Sequence, residues 1–156
     1  METVLRQYQY DVNRGSSSIA DEIAKAVEKL GRYIHKSSAG VGPLIRSELA
    51  ELVEECSEAD WDGYDAAPVN PESILAARKF LLSLPVGSRL PSIGILPNGN
   101  VTLEWHHSRR RNLTISFSPE GEIHYAALLG AGRQSGTEPF YGEAPSTILN
   151  LLERIF

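Results

Sequence analysis

Apolar positions along this chain follow two different periods, and the change from one to the other near residue 90 divides the sequence. Upstream, apolar residues recur every three or four positions, the spacing that puts them on one side of a helix. Ile19, Ile23, Val27, Leu30 and Ile34 predict a helix over 19–36, with Ser18 of the Gly15–Ser18 loop as its cap. Ahead of it, Val4, Tyr8, Tyr10 and Val12 alternate with Thr3, Leu5, Gln7, Gln9 and Asp11 as in a short strand or extended arm, with Arg6 breaking the apolar series. The Ser/Gly/Pro stretch 37–43 ends that helix, and Ile45, Leu49, Leu52, Val53 and Cys56 predict a second one from about Pro43 to Ala59. Asn70-Pro71 reads as an N-cap followed by proline in the first turn, and Pro85 closes this third helix behind Ile74, Ala77, Leu81 and Leu84.

Downstream the period drops to two. Ile93 and Ile95 precede Pro97-Asn98-Gly99-Asn100, whose Asn-Gly pair predicts a tight hairpin with positive φ at both central residues. Val101, Leu103 and Trp105 then alternate with Thr102, Glu104 and His106, and Leu113, Ile115 and Phe117 alternate beyond a polar link at 107–111. A turn at Pro119–Glu122 leads into Ile123, Tyr125 and Ala127. Residues 130–137 read as a glycine-rich flexible connection, with a short strand over Glu138–Tyr141, and Pro145-Ser146 opens a last helix bearing Ile148, Leu151, Leu152 and Ile155. The expected fold is α+β: a four- or five-stranded antiparallel meander with amphipathic helices packed on one face. Residues 43–156 form its core domain. Residues 1–42 form an N-terminal arm and helix that packs on the core or on a second copy, which leaves a homodimer open.

At 156 residues, 42% apolar and 22% charged, the chain is sized for one folded domain. One cysteine excludes an internal disulfide, no apolar run is long enough for a membrane span, and METVLRQYQYDVNRG lacks the apolar core of a signal peptide. A cytoplasmic protein without a cofactor is expected. The net charge of −5 points away from nucleic acid and membranes as partners. That charge is uneven: residues 1–70 hold seven bases and thirteen acids, whereas 71–156 hold eight bases and seven acids. Glu48, Glu51, Glu54, Glu55, Glu58, Asp60, Asp62 and Asp65 follow one another without a Lys or Arg between them.

Four motifs could carry chemistry. Glu58, Asp60, Asp62 and Gly63 partly match a calcium loop, but Ala66 and Val69 stand where two further ligands belong, so a high-affinity site is excluded. The aspartates then serve to bond loop N–H groups, with Trp61 and Tyr64 either anchoring the turn in the core or exposed as hot spots for a partner. Glu104 and His106 share the polar face of their strand, and His124 could join them to hold a divalent metal or move a proton. Arg109, Arg110 and Arg111 at a turn could grip phosphate through forked hydrogen bonds, without a second basic run in the sequence to extend them. The glycine-rich 130–137 segment lacks the lysine of a nucleotide-binding loop, and Cys56 falls on an apolar stripe, as a core residue does.

The run WDGYDAAPVNPESILAARKFLLSLP, the PNGNVTLEWH hairpin and the strand ending EGEIHYAAL resemble a family of small bacterial proteins of unknown function. Its pattern is W-D-G-Y-x-A-x-P, a helix, L-P, a glycine-turn hairpin with L-E-W, and a short C-terminal helix; it covers about residues 48–156. The residue after the tyrosine is often glycine in that pattern, where this chain has Asp65. The resemblance implies no activity, cofactor or partner. The residues themselves point to a non-catalytic interaction or regulatory module, antitoxin- or immunity-like by analogy, whose contact surface is Glu51, Glu55, Glu58, Asp60, Trp61, Asp62, Tyr64 and Asp65 and whose partner is a basic protein. The alternatives are a metal-dependent enzyme or metal-binding domain on the Glu104/His106/His124 face, and a phosphate or RNA contact through Arg109–Arg111.

Overall fold

The computed structural model describes residues 41–156 and, ahead of them, Ile23. The N-terminal arm and the rest of the helix expected over 19–36 lie outside the described residues. The elements run α1 (Val41–Glu55), α2 (Pro71–Ser83), β1 (Ser92–Ile95), β2 (Val101–Ser108), β3 (Arg111–Phe117), β4 (Glu122–Leu129), β5 (Gly132–Pro139) and α3 (Ser146–Ile155). The five strands form one antiparallel sheet in chain order. It is the expected α+β architecture.

Alternation decides which face of the sheet is covered. Val101, Leu103 and Trp105 of β2, Leu113, Ile115 and Phe117 of β3, and Ile123 of β4 are buried on the face that the helices cover. A large side chain buried there contributes about 1.5–3 kcal/mol. Phe80 of α2 is the centre of an aromatic cluster, edge-on to Trp105 (6.2 Å) and Phe117 (5.6 Å) and tilted against Phe140 (6.2 Å). Ser73 ties α2 to the sheet: its fully buried hydroxyl donates to the Phe117 carbonyl and accepts from the Val101 N–H, both at 2.7 Å. Asn70 caps α2 by accepting from the Glu72 and Ser73 N–H groups, with Pro71 in the first turn. Ile23 belongs to the same core, as do Ile45 and Leu49 of α1.

The sheet is longer than the sequence pattern suggests. The expected polar link at 107–111 shrinks to a two-residue turn, Arg109-Arg110, because Ser108 pairs with Arg111 across a bulge at His107. The glycine-rich stretch is β5, not a flexible connection, and pairs with β4 from Leu129↔Gly132 to Glu122↔Pro139. Glycine suits this edge strand for a steric reason: a Cβ at position 136 would lie 2.7 Å from the Tyr125 hydroxyl. The β1–β2 hairpin also departs from expectation. Gly99 takes a positive φ (85°) but Asn98 does not, and Leu96 pairs with Asn100, which makes a three-residue loop with the fixed φ of Pro97 at its first position. Helix α1 stops at Glu55, short of Ala59.

One buried cation stands out. Arg78 of α2 is 2% exposed, and its Nε and Nη2 atoms have no hydrogen-bond partner among the described residues. Burial, and then the charge of Arg46 on α1, lowers its pKa to about 10.

Candidate functional site

The two ends of the sheet carry opposite charge. The acidic end begins on α1, where Glu48, Glu51, Glu54 and Glu55 are exposed, and continues through Glu58 into the loop that leads to α2. Val69 closes this loop by donating to the Cys56 carbonyl, and Ala67 and Asn70 pin it to the β1–β2 turn by donating to the carbonyls of Pro97 and Gly99. Inside it, Asp60 Oδ1 accepts from the Asp65 N–H (2.8 Å), and Asp62 Oδ1 accepts from the N–H groups of Tyr64 (2.8 Å) and Ala66 (3.2 Å). Asp60 and Asp65 adopt φ of 63° and 69°, a region that aspartate tolerates and glycine occupies freely. The two aromatics divide their roles. Trp61 packs on the core and donates Nε1–H to the Ala67 carbonyl at 2.9 Å, whereas Tyr64 does not anchor the turn, its side chain being 89% exposed.

Glu104, His106 and His124 all lie on the uncovered face, but strand register keeps His124 apart from the other two. Glu104 is level with Thr114 and Ala126, His106 with Asn112 and Leu128, and His124 with Ser116 and Thr102. Strand β3 therefore stands between β2 and His124, and strands are about 4.8 Å apart. His124 instead lies 2.9 Å (Nδ1) from the Thr137 hydroxyl on β5. Among the described residues, no three His, Cys, Asp or Glu side chains come together as a metal site. The same face has a shallow recess of about 340 Å³ between β3 and β5, lined by Asn112, Thr114, Ala126, Leu128, Arg133 and Ser135 among others.

At the opposite end from the acidic loop, the Arg109–Arg111 turn is not isolated. Gly130 of the β4–β5 turn donates to the Arg110 carbonyl at 2.6 Å, so the two hairpin turns lie side by side, and Arg133 opens β5 just beyond. Trp105 donates Nε1–H to the Arg89 carbonyl at 2.8 Å, which fixes the segment entering β1. The Arg89 guanidinium lies over the Phe156 ring, 4.4 Å from its centre, and His107, the bulge residue, meets the same ring edge-on at 5.4 Å. Arg154, in the last turn of α3, reaches Gln134 of β5 at 3.4 Å. Six of the nine Lys and Arg residues between 41 and 156 gather here, all of them exposed. Sequence reasoning missed Arg89, Arg133 and Arg154 because chain distance hides them. The available signal was topological: in a meander, alternate turns share an end.

Geometrically, then, the molecule offers a rigid acidic loop holding out a tyrosine, an open polar sheet face, and an arginine-lined end. No α-helix among the described residues is long and apolar enough to cross a membrane. Set against known proteins, the chain matches no family model, no curated protein and no solved structure.

Proposed function

We propose that this protein is a non-catalytic protein-interaction module that receives a basic partner on its acidic end. Supporting this reading above all is Tyr64, 89% exposed on a loop whose backbone is already bonded by Asp60 and Asp62. An exposed aromatic on a preorganised loop loses little conformational entropy on binding, and tyrosine is among the residues that dominate interface energies. Glu51 and Glu55 on α1 and Glu58 at the start of the loop are exposed and would steer a cationic surface towards the ring. Trp61, Asp60, Asp62 and Asp65 shape the contact by holding the loop.

The test is recovery of tagged protein from its host after nuclease treatment, alongside Tyr64→Ala and the triple variant Glu51→Lys, Glu55→Lys, Glu58→Lys. The expected result is a stoichiometric protein partner whose retention falls about tenfold or more in each variant, with unchanged circular dichroism. Wild-type protein that emerges alone, or a partner held equally by both variants, would overturn the reading.

A further inference from the structure

We infer that the arginine-lined end of the sheet is a binding site for single-stranded nucleic acid, separate from the acidic end and independent of the function proposed there. Three observations lead to it. The cations spread from Arg89, ahead of β1, to Arg133 on β5; four strand spacings amount to about 19 Å. A single phosphate would engage one part of that row, while a chain of phosphates could engage all of it. Every cation in the row is arginine, although Lys79 shows that the chain between 41 and 156 also uses lysine. The guanidinium fork pairs two hydrogen bonds with a phosphate and also stacks on flat rings, which an ammonium does not do.

The third observation separates nucleic acid from an acidic protein. Phe156 is 40% exposed, with the Arg89 guanidinium over its ring and His107 at its edge. This is a flat, cationic platform on which an unpaired base can stack, and base stacking is how single strands are held without regard to sequence. On the other side of the row, Arg133 borders the open-face recess, where Asn112, Thr114 and Ser135 offer amide and hydroxyl groups to a base edge. Glu153, beside Arg154 in the chain, offsets one charge of the six. The net charge of the whole chain conceals this end because eight acids follow one another from Glu48 to Asp65, and that acidic end would turn a nucleic acid away from itself and towards the arginines.

Fluorescence anisotropy with labelled oligouridylate and oligothymidylate of roughly 20 nucleotides tests the site on the full chain. Binding to at least one of them is expected at about 50 mM salt, weakening as salt rises, with a logarithmic slope near −0.7 per phosphate contacted. Comparison of the two separates RNA from DNA. Arg133→Ala with Arg154→Ala should weaken binding about tenfold and flatten the slope, although neither residue belongs to the 109–111 run. Phe156→Ala should weaken it at least about fivefold while leaving the slope unchanged, the signature of lost stacking. Arg133 and Arg154 are exposed, so the thermal melt of that pair variant should stay unchanged, and Phe156→Ala should remain fully folded at the temperature of the binding measurement. Absence of salt-dependent binding, indifference to the Arg133/Arg154 pair, or tighter binding of a duplex or of polyglutamate of equal length would each overturn the inference.

Discussion

The acidic and basic ends of the sheet differ in what their charges do for the fold. At the acidic end, carboxylates are structural as well as exposed: Asp60 and Asp62 bond the loop backbone, and the loop in turn bonds the β1–β2 turn. At the basic end, the fold is tied by main-chain atoms, the carbonyls of Arg89 and Arg110, and the guanidiniums stay exposed, with only surface contacts such as Arg89 on Phe156 and Arg154 to Gln134. A surface whose charges are needed for folding is hard to vary without loss. A surface whose charges hang from an independently built scaffold can be tuned for a ligand.

The largest way to challenge this contrast is at the junction of the acidic loop with the sheet. A Cβ at Gly99 would run into the Pro68 carbonyl oxygen, and φ there is 85°. Gly99→Ala should therefore cost about 3 kcal/mol, combining left-handed strain with overpacking, in a urea melt. A cost below about 1 kcal/mol would mean that the loop is not pinned to the turn as described.

A cation belonging to neither end sharpens the comparison next. Arg78 is the counter-case to the exposed arginines, buried with no partner among the described residues for two of its nitrogens. Its pKa of about 10 lies below the ordinary guanidinium range, so between the two the unfolded chain binds more protons and stability rises with pH. Below about pH 10 the burial penalty is felt in full. Arg78→Met should raise stability at neutral pH by about 2 kcal/mol, and its advantage should shrink as pH climbs past the folded value. A loss of stability instead would show that an anion pairs with this guanidinium.

The smallest effect compares the ends directly. Asp62→Ala removes the acceptor of two loop N–H groups and should cost about 1 kcal/mol. Replacing Arg109, Arg110 and Arg111 together by alanine should change stability by no more than about 0.5 kcal/mol. Equal costs at both ends, measured by chemical denaturation, would break the distinction.

The same contrast explains what could be read from sequence. The acids between Glu48 and Asp65 follow one another in the chain, so their clustering is visible before any fold is known. The meander was also legible, since strict alternation in β2, β3 and β4 reports burial on one face. The arginine end was not. Residues 89 and 154 are 65 positions apart, and only antiparallel pairing in chain order brings their surroundings together. Strand β5 was obscured by its glycines, which signal a loop by propensity; at position 136, glycine fits because Tyr125 fills the space. Tyr64 and Trp61 have the same sequence neighbourhood, and only the fold shows which ring turns inward.

Cys56 closes the helical turn that follows α1, and its carbonyl receives the Val69 N–H that completes the acidic loop. Its thiol is 3% exposed, and burial, with Glu55 nearby, raises its pKa. It is also the only cysteine in the sequence. The molecule thus contains its own reporter of opening. A thiol reagent can reach that sulfur only when α1 and the loop part from the core, so the modification rate in native buffer measures how often the acidic end comes undone.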